Sequence, residues 1–115
     1  FQGWNDMCDA KATAAYEANL VHLIHDVRRD LAAPKLPVVV VETGNADHEV
    51  FRSAQRAGVE HQDVGGPAVF VPTRAFLRKP EDSPNTGHGH HWFGNAESYF
   101  LIGDAMGRAM LRLLE

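Results

Sequence analysis

Leu36-Pro37-Val38-Val39-Val40-Val41-Glu42-Thr43-Gly44-Asn45 reads as a short strand that stops on polar, turn-forming residues. Its four valines do not alternate with polar residues. A β-branched run of that kind suits a strand covered on both faces, as in a parallel sheet. Thr43-Gly44-Asn45 breaks the run. Upstream, residues 10–31 form an amphipathic helical pattern. Tyr16, Leu20, Leu23, Ile24, Val27 and Leu31 recur at steps of three and four, which places them on one face. Asp9 suits the N-cap of this helix, and Pro34 forces its end.

Downstream, residues 47–58 suit a second helix with Val50, Phe51, Ala54 and Ala57 on one side. Gly65-Gly66-Pro67 is a turn, and Ala68-Val69-Phe70-Val71-Pro72 is a second buried strand closed by its proline. Residues 73–94 form a long loop rich in Pro, Gly and His, and loops of that length commonly carry function. Asn95 then caps a last helix to Leu114. Its expected apolar stripe is Ala96, Tyr99, Phe100, Gly103, Gly107, Met110, Leu111 and Leu114. Gly103 and Gly107 weaken a helix, so they are expected where that face packs closely on a sheet. Phe1 reads as the end of an earlier strand, which implies an upstream segment. Alternating strands and helices predict an α/β fold with a parallel sheet and right-handed crossovers. Ligands of such sheets sit at the carboxyl ends of the strands. Three polar stretches fall there: Gly3-Trp4-Asn5-Asp6, Glu42-Thr43-Gly44-Asn45, and Thr73 onward.

The 115 residues bound the chain to at most one domain, and 44% hydrophobic with 23% charged residues is ordinary for a globular protein. A net charge of −4 argues against a nucleic-acid partner. Arg28, Arg29, Arg108 and Arg112 lie on helical patterns and read as solvated surface. No apolar run reaches the length of a membrane span. The single cysteine, Cys8, excludes an internal disulfide.

Asn5 and His91 are the candidate catalytic residues. An asparagine amide after a strand can aim its N–H groups at a developing oxyanion, or it can simply close its own turn. Gly3 allows close backbone approach there. Asp6 either braces the turn by accepting backbone N–H groups or caps the next helix. Trp4 suits a pocket wall or the core. His91 has the right acidity for a general base near neutral pH, or is a surface histidine of a polar loop. Trp92 and Phe93 flank it. His88, His90 and His91 lack the spacing of a zinc motif, with only Cys8 and Glu42 to complete a set. No metal and no cofactor is expected. None of Ser53, Ser83 and Ser98 lies on a strand-to-helix turn, where an activated serine has to be exposed. Cys8 has no adjacent base and reads as a small buried residue.

Three stretches carry a family resemblance that runs over nearly the whole chain. They are Phe1-Gln2-Gly3-Trp4-Asn5-Asp6, His25-Asp26-Val27-Arg28-Arg29-Asp30-Leu31 continuing through Pro37-Val38-Val39-Val40, and His91-Trp92-Phe93-Gly94-Asn95-Ala96-Glu97 continuing to Gly103-Asp104-Ala105-Met106-Gly107. Together they resemble the SGNH-hydrolase superfamily, in particular its carbohydrate esterases of the sialate O-acetylesterase or acetylxylan-esterase type. The resemblance implies a flavodoxin-like three-layer α/β/α domain with a parallel sheet. Residues 1–115 would be its carboxyl-terminal part, incomplete at the amino-terminal side. It also implies a serine esterase acting on an acetylated carbohydrate. An upstream serine would be the nucleophile, His91 the base and Asn5 the oxyanion donor. Gly3 and Asp6 would support the turn, and Trp4 and Trp92 would line the substrate pocket. These residues alone would then lack turnover.

Two positions depart from that pattern. His88 stands where the family often has an aspartate, three residues before its histidine, and Trp4 stands where some relatives have a glutamate. The triad acid is therefore unassigned, with Glu42, Glu81, Asp82 or a bare Ser–His dyad open. A non-catalytic carbohydrate- or partner-binding α/β module is the alternative, with Trp4, Trp92 and Phe93 as stacking surfaces.

Overall fold

The computed structural model describes residues 2–44 and 47–115. Phe1, read as a strand end, and Asn45, read as part of the turn after the valine run, lie outside the described residues. The elements in chain order are α1 (Trp4–Met7), α2 (Ala10–Asp30), β1 (Val38–Val41), α3 (Glu49–Glu60), β2 (Ala68–Val71) and α4 (Ala96–Leu114). Short 3₁₀ turns at Gln62–Val64, Arg74–Phe76, Pro80–Asp82 and Gly89–Gly94 join them.

The valine run pairs in parallel with β2, Val38 opposite Ala68 and Val41 opposite Val71. Successive side chains of a strand point to opposite faces. Val38, Val40, Ala68 and Phe70 accordingly pack on one cluster, with Tyr16, Leu20 and Ile24 of α2 and Phe51 and Val59 of α3. Val39 and Val41 join the other, with Trp92, Phe76, and Ile102 and Met106 of α4. Both faces of the sheet are covered, which explains why no polar residue interrupts the run. The chain is therefore mixed α/β, with a two-stranded parallel sheet among the described residues. No helix among them is long and apolar enough to cross a membrane.

Several local expectations are met. The Asp9 carboxylate accepts from Ala12 N at 2.8 Å and starts α2. The Asn95 side chain accepts from Glu97 N and Ser98 N and starts α4. The helix expected at residues 47–58 runs over Glu49–Glu60 instead, because the His48 ring caps it by accepting from Phe51 N.

Other expectations are corrected. Residues around Asn5 form the helical turn α1 rather than a loop leaving a strand. Arg28 is buried, not solvated. Its guanidinium donates to the carbonyls of Leu36 (3.0 and 2.9 Å), Val64 (2.5 Å) and Pro67 (2.9 Å). These carbonyls lie just before the two strands, so one planar fork aligns both strand entries. A helical-wheel reading counts Arg as polar and misses this burial.

The face of α4 that packs inward carries Ser98, Ile102 and Ala109. Tyr99, Phe100, Leu111 and Leu114 of the expected stripe are exposed. Nothing lies within 4 Å of a Cβ added at Gly103 or Gly107, so neither marks a close approach to the sheet. Ser98 tolerates full burial because its hydroxyl donates to Phe76 O at 2.7 Å, and a pattern of apolar residues alone does not register such a contact. Cys8, read as buried, is exposed at the end of α1.

Candidate active site

A cavity of about 320 Å³ opens where β1 ends. Four parts of the chain line it: residues 2–5, Thr43 with Gly44, residues 90–92, and Tyr99. Asn5 and His91 thus share one space although they lie far apart in sequence. Of the three polar stretches expected at strand ends, the first two reach the cavity. The third reaches it only at its far end, through His90, His91 and Trp92, because Thr73 itself turns back onto Glu42.

Asn5 is exposed on α1. The turn around it is closed by backbone groups, with Met7 N donating to Gly3 O at 2.9 Å and Cys8 N to Trp4 O at 3.3 Å. Among the described residues no hydrogen bond holds the Asn5 side-chain amide. Its N–H₂ is therefore available to a ligand, and the turn does not depend on it.

Gly3 precedes Asn5 with φ +134, a conformation that side chains rarely adopt. The close approach it permits is to the ring of Phe51, whose Cζ would lie 2.6 Å from an added Cβ. Asp6 does not cap the next helix, a role Asp9 takes. Its carboxylate accepts from the Gln2 amide at 2.6 Å and its carbonyl from the Thr13 hydroxyl at 3.0 Å, so it ties α1 to its neighbours. Trp4 is half-buried, its ring 5.6 Å from that of His90. Gly44, at φ +72, lies beneath that ring: an added Cβ would sit 2.7 Å from Trp4 Cζ3.

His91 is exposed at the cavity edge, and its backbone is held from two sides. Its N–H donates to His88 O at 3.0 Å, and the Tyr99 hydroxyl donates to its carbonyl at 2.9 Å. The next two residues, Trp92 and Phe93, both have φ +53. Left-handed backbone at bulky residues is strained, by about 1–3 kcal/mol each. Burial of the indole offsets this, since Trp92 is 2% exposed and packs with Val41 and Ile102. Trp92 is thus a packed wall that anchors the loop carrying His91, not an open stacking platform.

The His91 ring lies 4.2 Å from that of His90 and 6.3 Å from that of His88, centroid to centroid. Among the described residues no group of three His, Cys, Asp or Glu converges as a metal set would. No carboxylate among them forms an ion pair with His91.

Glu42 is already engaged elsewhere. One carboxylate oxygen accepts from Thr73 N (2.7 Å) and Arg74 N (3.1 Å), and the other lies 3.1 Å from Arg52 Nε. It clasps the ends of β1 and β2 together, which removes it from contention as the acid beside His91. Glu81 and Asp82 are exposed in the turn Pro80–Asp82. The serines also stand apart from the cavity. Ser53 is exposed on α3, while the Ser83 and Ser98 hydroxyls donate to Lys79 O and Phe76 O.

The family model described as carbohydrate esterase, sialic acid-specific acetylesterase, matches residues 1–112. The chain belongs to that family. No curated protein and no solved structure matches the chain significantly. In this carbohydrate esterase chain the sequence reading placed Thr43 and Gly44 at this edge but missed Tyr99 as a cavity residue and Gln55, bonded to Thr43 beneath. The available signal for Gln55 was register: it lies one helical turn after Phe51, on the face of α3 that turns inward.

Proposed function

We propose that the protein is a serine-type carbohydrate O-acetylesterase of the SGNH type. Residues 1–115 are the carboxyl-terminal part of its three-layer, flavodoxin-like α/β/α domain. The observation that carries this reading is the shared cavity at the end of β1, where an unengaged asparagine amide and an exposed histidine meet. The family to which the chain belongs supplies the reaction class and an acetylated carbohydrate as substrate.

In this reading the nucleophile is a serine from outside these residues, since the serines described here are engaged or remote from the cavity. Its hydroxyl attacks the acetyl carbonyl while His91 takes the proton. Asn5 donates to the oxyanion of the tetrahedral intermediate, and its open amide costs nothing to redirect. Collapse of that intermediate expels the sugar hydroxyl, which takes its proton from His91. Water, deprotonated by His91, then hydrolyses the acyl-enzyme. Gly3 and Asp6 hold the turn, while Trp4 and Trp92 form walls of the substrate pocket.

Hydrolysis of an aryl acetate by the full-length protein tests this. His91→Ala is expected to remove nearly all turnover. Asn5→Ala is expected to lower kcat by about 10²–10³, the usual effect of losing one oxyanion donor. Undiminished activity in either variant refutes that residue's role. These 115 residues expressed alone are expected to show no turnover, and measurable turnover from them would move the nucleophile inside the chain.

A further inference from the structure

Gln55 is completely buried on α3 and does not line the cavity. It nevertheless connects to the cavity through a closed set of hydrogen bonds. Its Oε1 accepts from the backbone N–H of Thr43 at 2.9 Å. Its Nε2 donates to Thr43 Oγ1 at 2.9 Å and to the carbonyl of Gln2 at 3.3 Å. The Thr43 hydroxyl in turn donates to the same Gln2 carbonyl at 2.7 Å. The Tyr16 hydroxyl also reaches Gln2, 3.2 Å from its carbonyl and 3.0 Å from its side-chain oxygen.

Each donor and acceptor in this set has one consistent role. The amide of Gln55 has a single orientation that serves it, because the backbone N–H of Thr43 requires the oxygen on that side. The shared target is the carbonyl of the Gln2–Gly3 peptide. That peptide opens the turn whose next residues are Gly3, Trp4 and Asn5. Fixing its plane fixes where α1 starts and therefore where the Asn5 amide points.

Resting on the esterase reading above, we propose that Gln55 and Thr43 are positioning residues that aim the Asn5 amide at the oxyanion by clamping the Gln2 carbonyl. Gln55 touches no substrate in this account. It acts only through Thr43 and Gln2. A buried glutamine in that position would otherwise be a poor choice for a helix face packed among Phe51 and Val59. Its burial is tolerable because every polar atom is satisfied.

The experiment measures kcat, KM and melting temperature on the full-length protein with an aryl acetate. Gln55→Glu keeps the shape and the acceptor for Thr43 N but loses the donors to Thr43 Oγ1 and Gln2. Thr43→Val keeps the shape and loses the hydroxyl. Both are expected to lower kcat by about 10–100-fold, since a misplacement of about 1 Å carries a penalty of that size. KM should change by no more than about twofold, because an oxyanion donor acts in the transition state. Thr43→Ser restores the hydroxyl and should recover most of what Thr43→Val loses.

Val59→Ala is the structural control. It opens a void in the same helix and cluster, so it should lower the melting temperature and leave kcat unchanged. Should Gln55→Glu fail to fold, the Thr43→Val and Thr43→Ser pair decides. If Asn5→Ala loses about a hundredfold in kcat while Thr43→Val and Gln55→Glu lose less than about twofold, the clamp is refuted and the esterase reading stands. If Asn5→Ala has no effect, both fall together.

Discussion

Replacing Glu42 by Gln should destabilise the protein by about 3 kcal/mol, the lower end of the range for breaking one side of a buried ion pair. The size follows from what glutamine can and cannot keep. Glu42 has two oxygens with separate duties, one for the backbone N–H groups of Thr73 and Arg74 and one for the guanidinium of Arg52, with Arg74 Nε 3.7 Å from that second oxygen. Glutamine has one oxygen. Turned toward Thr73, whose N–H is buried without access to water, it preserves both loop bonds. Its NH₂ then faces the Arg52 guanidinium, so the loss is the charge pairing. Arg52 is even less accessible than Glu42, with side chains 4% and 7% exposed, so water replaces little. Asp47 at 3.9 Å from Arg52 Nη1 remains, which holds the cost at the low end. Urea unfolding followed by tryptophan fluorescence reads the effect, because Trp92 is buried beside Val41 at the end of the same strand. A cycle with Arg52→Met isolates the pair. The double variant should cost at least about 1 kcal/mol less than the sum of the singles. A Glu42→Gln loss below about 1 kcal/mol, the scale of an exposed pair, or strictly additive singles, would refute the assignment of Glu42 as a buried clasp.

Gly3→Ala should cost more than about 1–2 kcal/mol, the strain of left-handed backbone alone, because its Cβ would also meet the Phe51 ring at 2.6 Å. Gly103→Ala should instead stabilise by about 0.5–1 kcal/mol, since it adds helix propensity in open space; thermal unfolding of the two compares them. Arg28→Met should cost about 3 kcal/mol, typical of losing charge-assisted hydrogen bonds and leaving buried carbonyls unpaired. Arg28→Lys should recover little of it, as one ammonium cannot span the carbonyls of Leu36, Val64 and Pro67; equal stability of the lysine variant and wild type would contradict this. Burial raises the Tyr16 pKa by more than the neighbouring Gln55 amide lowers it, and the Asp6 carboxylate adds to the rise. A raised folded pKa gives stability that is fully present below the unfolded phenol value of about 10 and lost as pH rises through the folded one. The urea midpoint of wild type should therefore fall above about pH 10 more steeply than that of Tyr16→Phe, and parallel curves would reject the burial effect.

Much of the architecture was legible because it follows from local chemistry. The non-alternating valines required cover on both faces, and both are covered. Asp9 and Asn95 announced helix starts through side chains that satisfy nearby N–H groups, a contact that needs no tertiary context. The site was legible in part for the same reason. Asn5 and His91 are residue types suited to the chemistry, and both follow recognisable turns. Their meeting in one cavity was not contained in either turn. It required β1 to bring Thr43 and Gly44 between them, and Trp92 to bury its indole so that the strained loop holds its course.

The sequence by itself determined the alternation of helix and strand, the parallel pairing, the caps at Asp9 and Asn95, and the family. Tertiary structure alone decided the face of α4 that packs inward, the burial of Arg28, and the engagement of Glu42, Thr43 and Gln55. The reason is physical: hydrophobic periodicity reports how apolar groups avoid water, while a buried polar group is tolerated only when distant partners satisfy it. Those partners lie tens of residues away, as Gln55 does from Gln2, and only the folded chain brings them within hydrogen-bond reach.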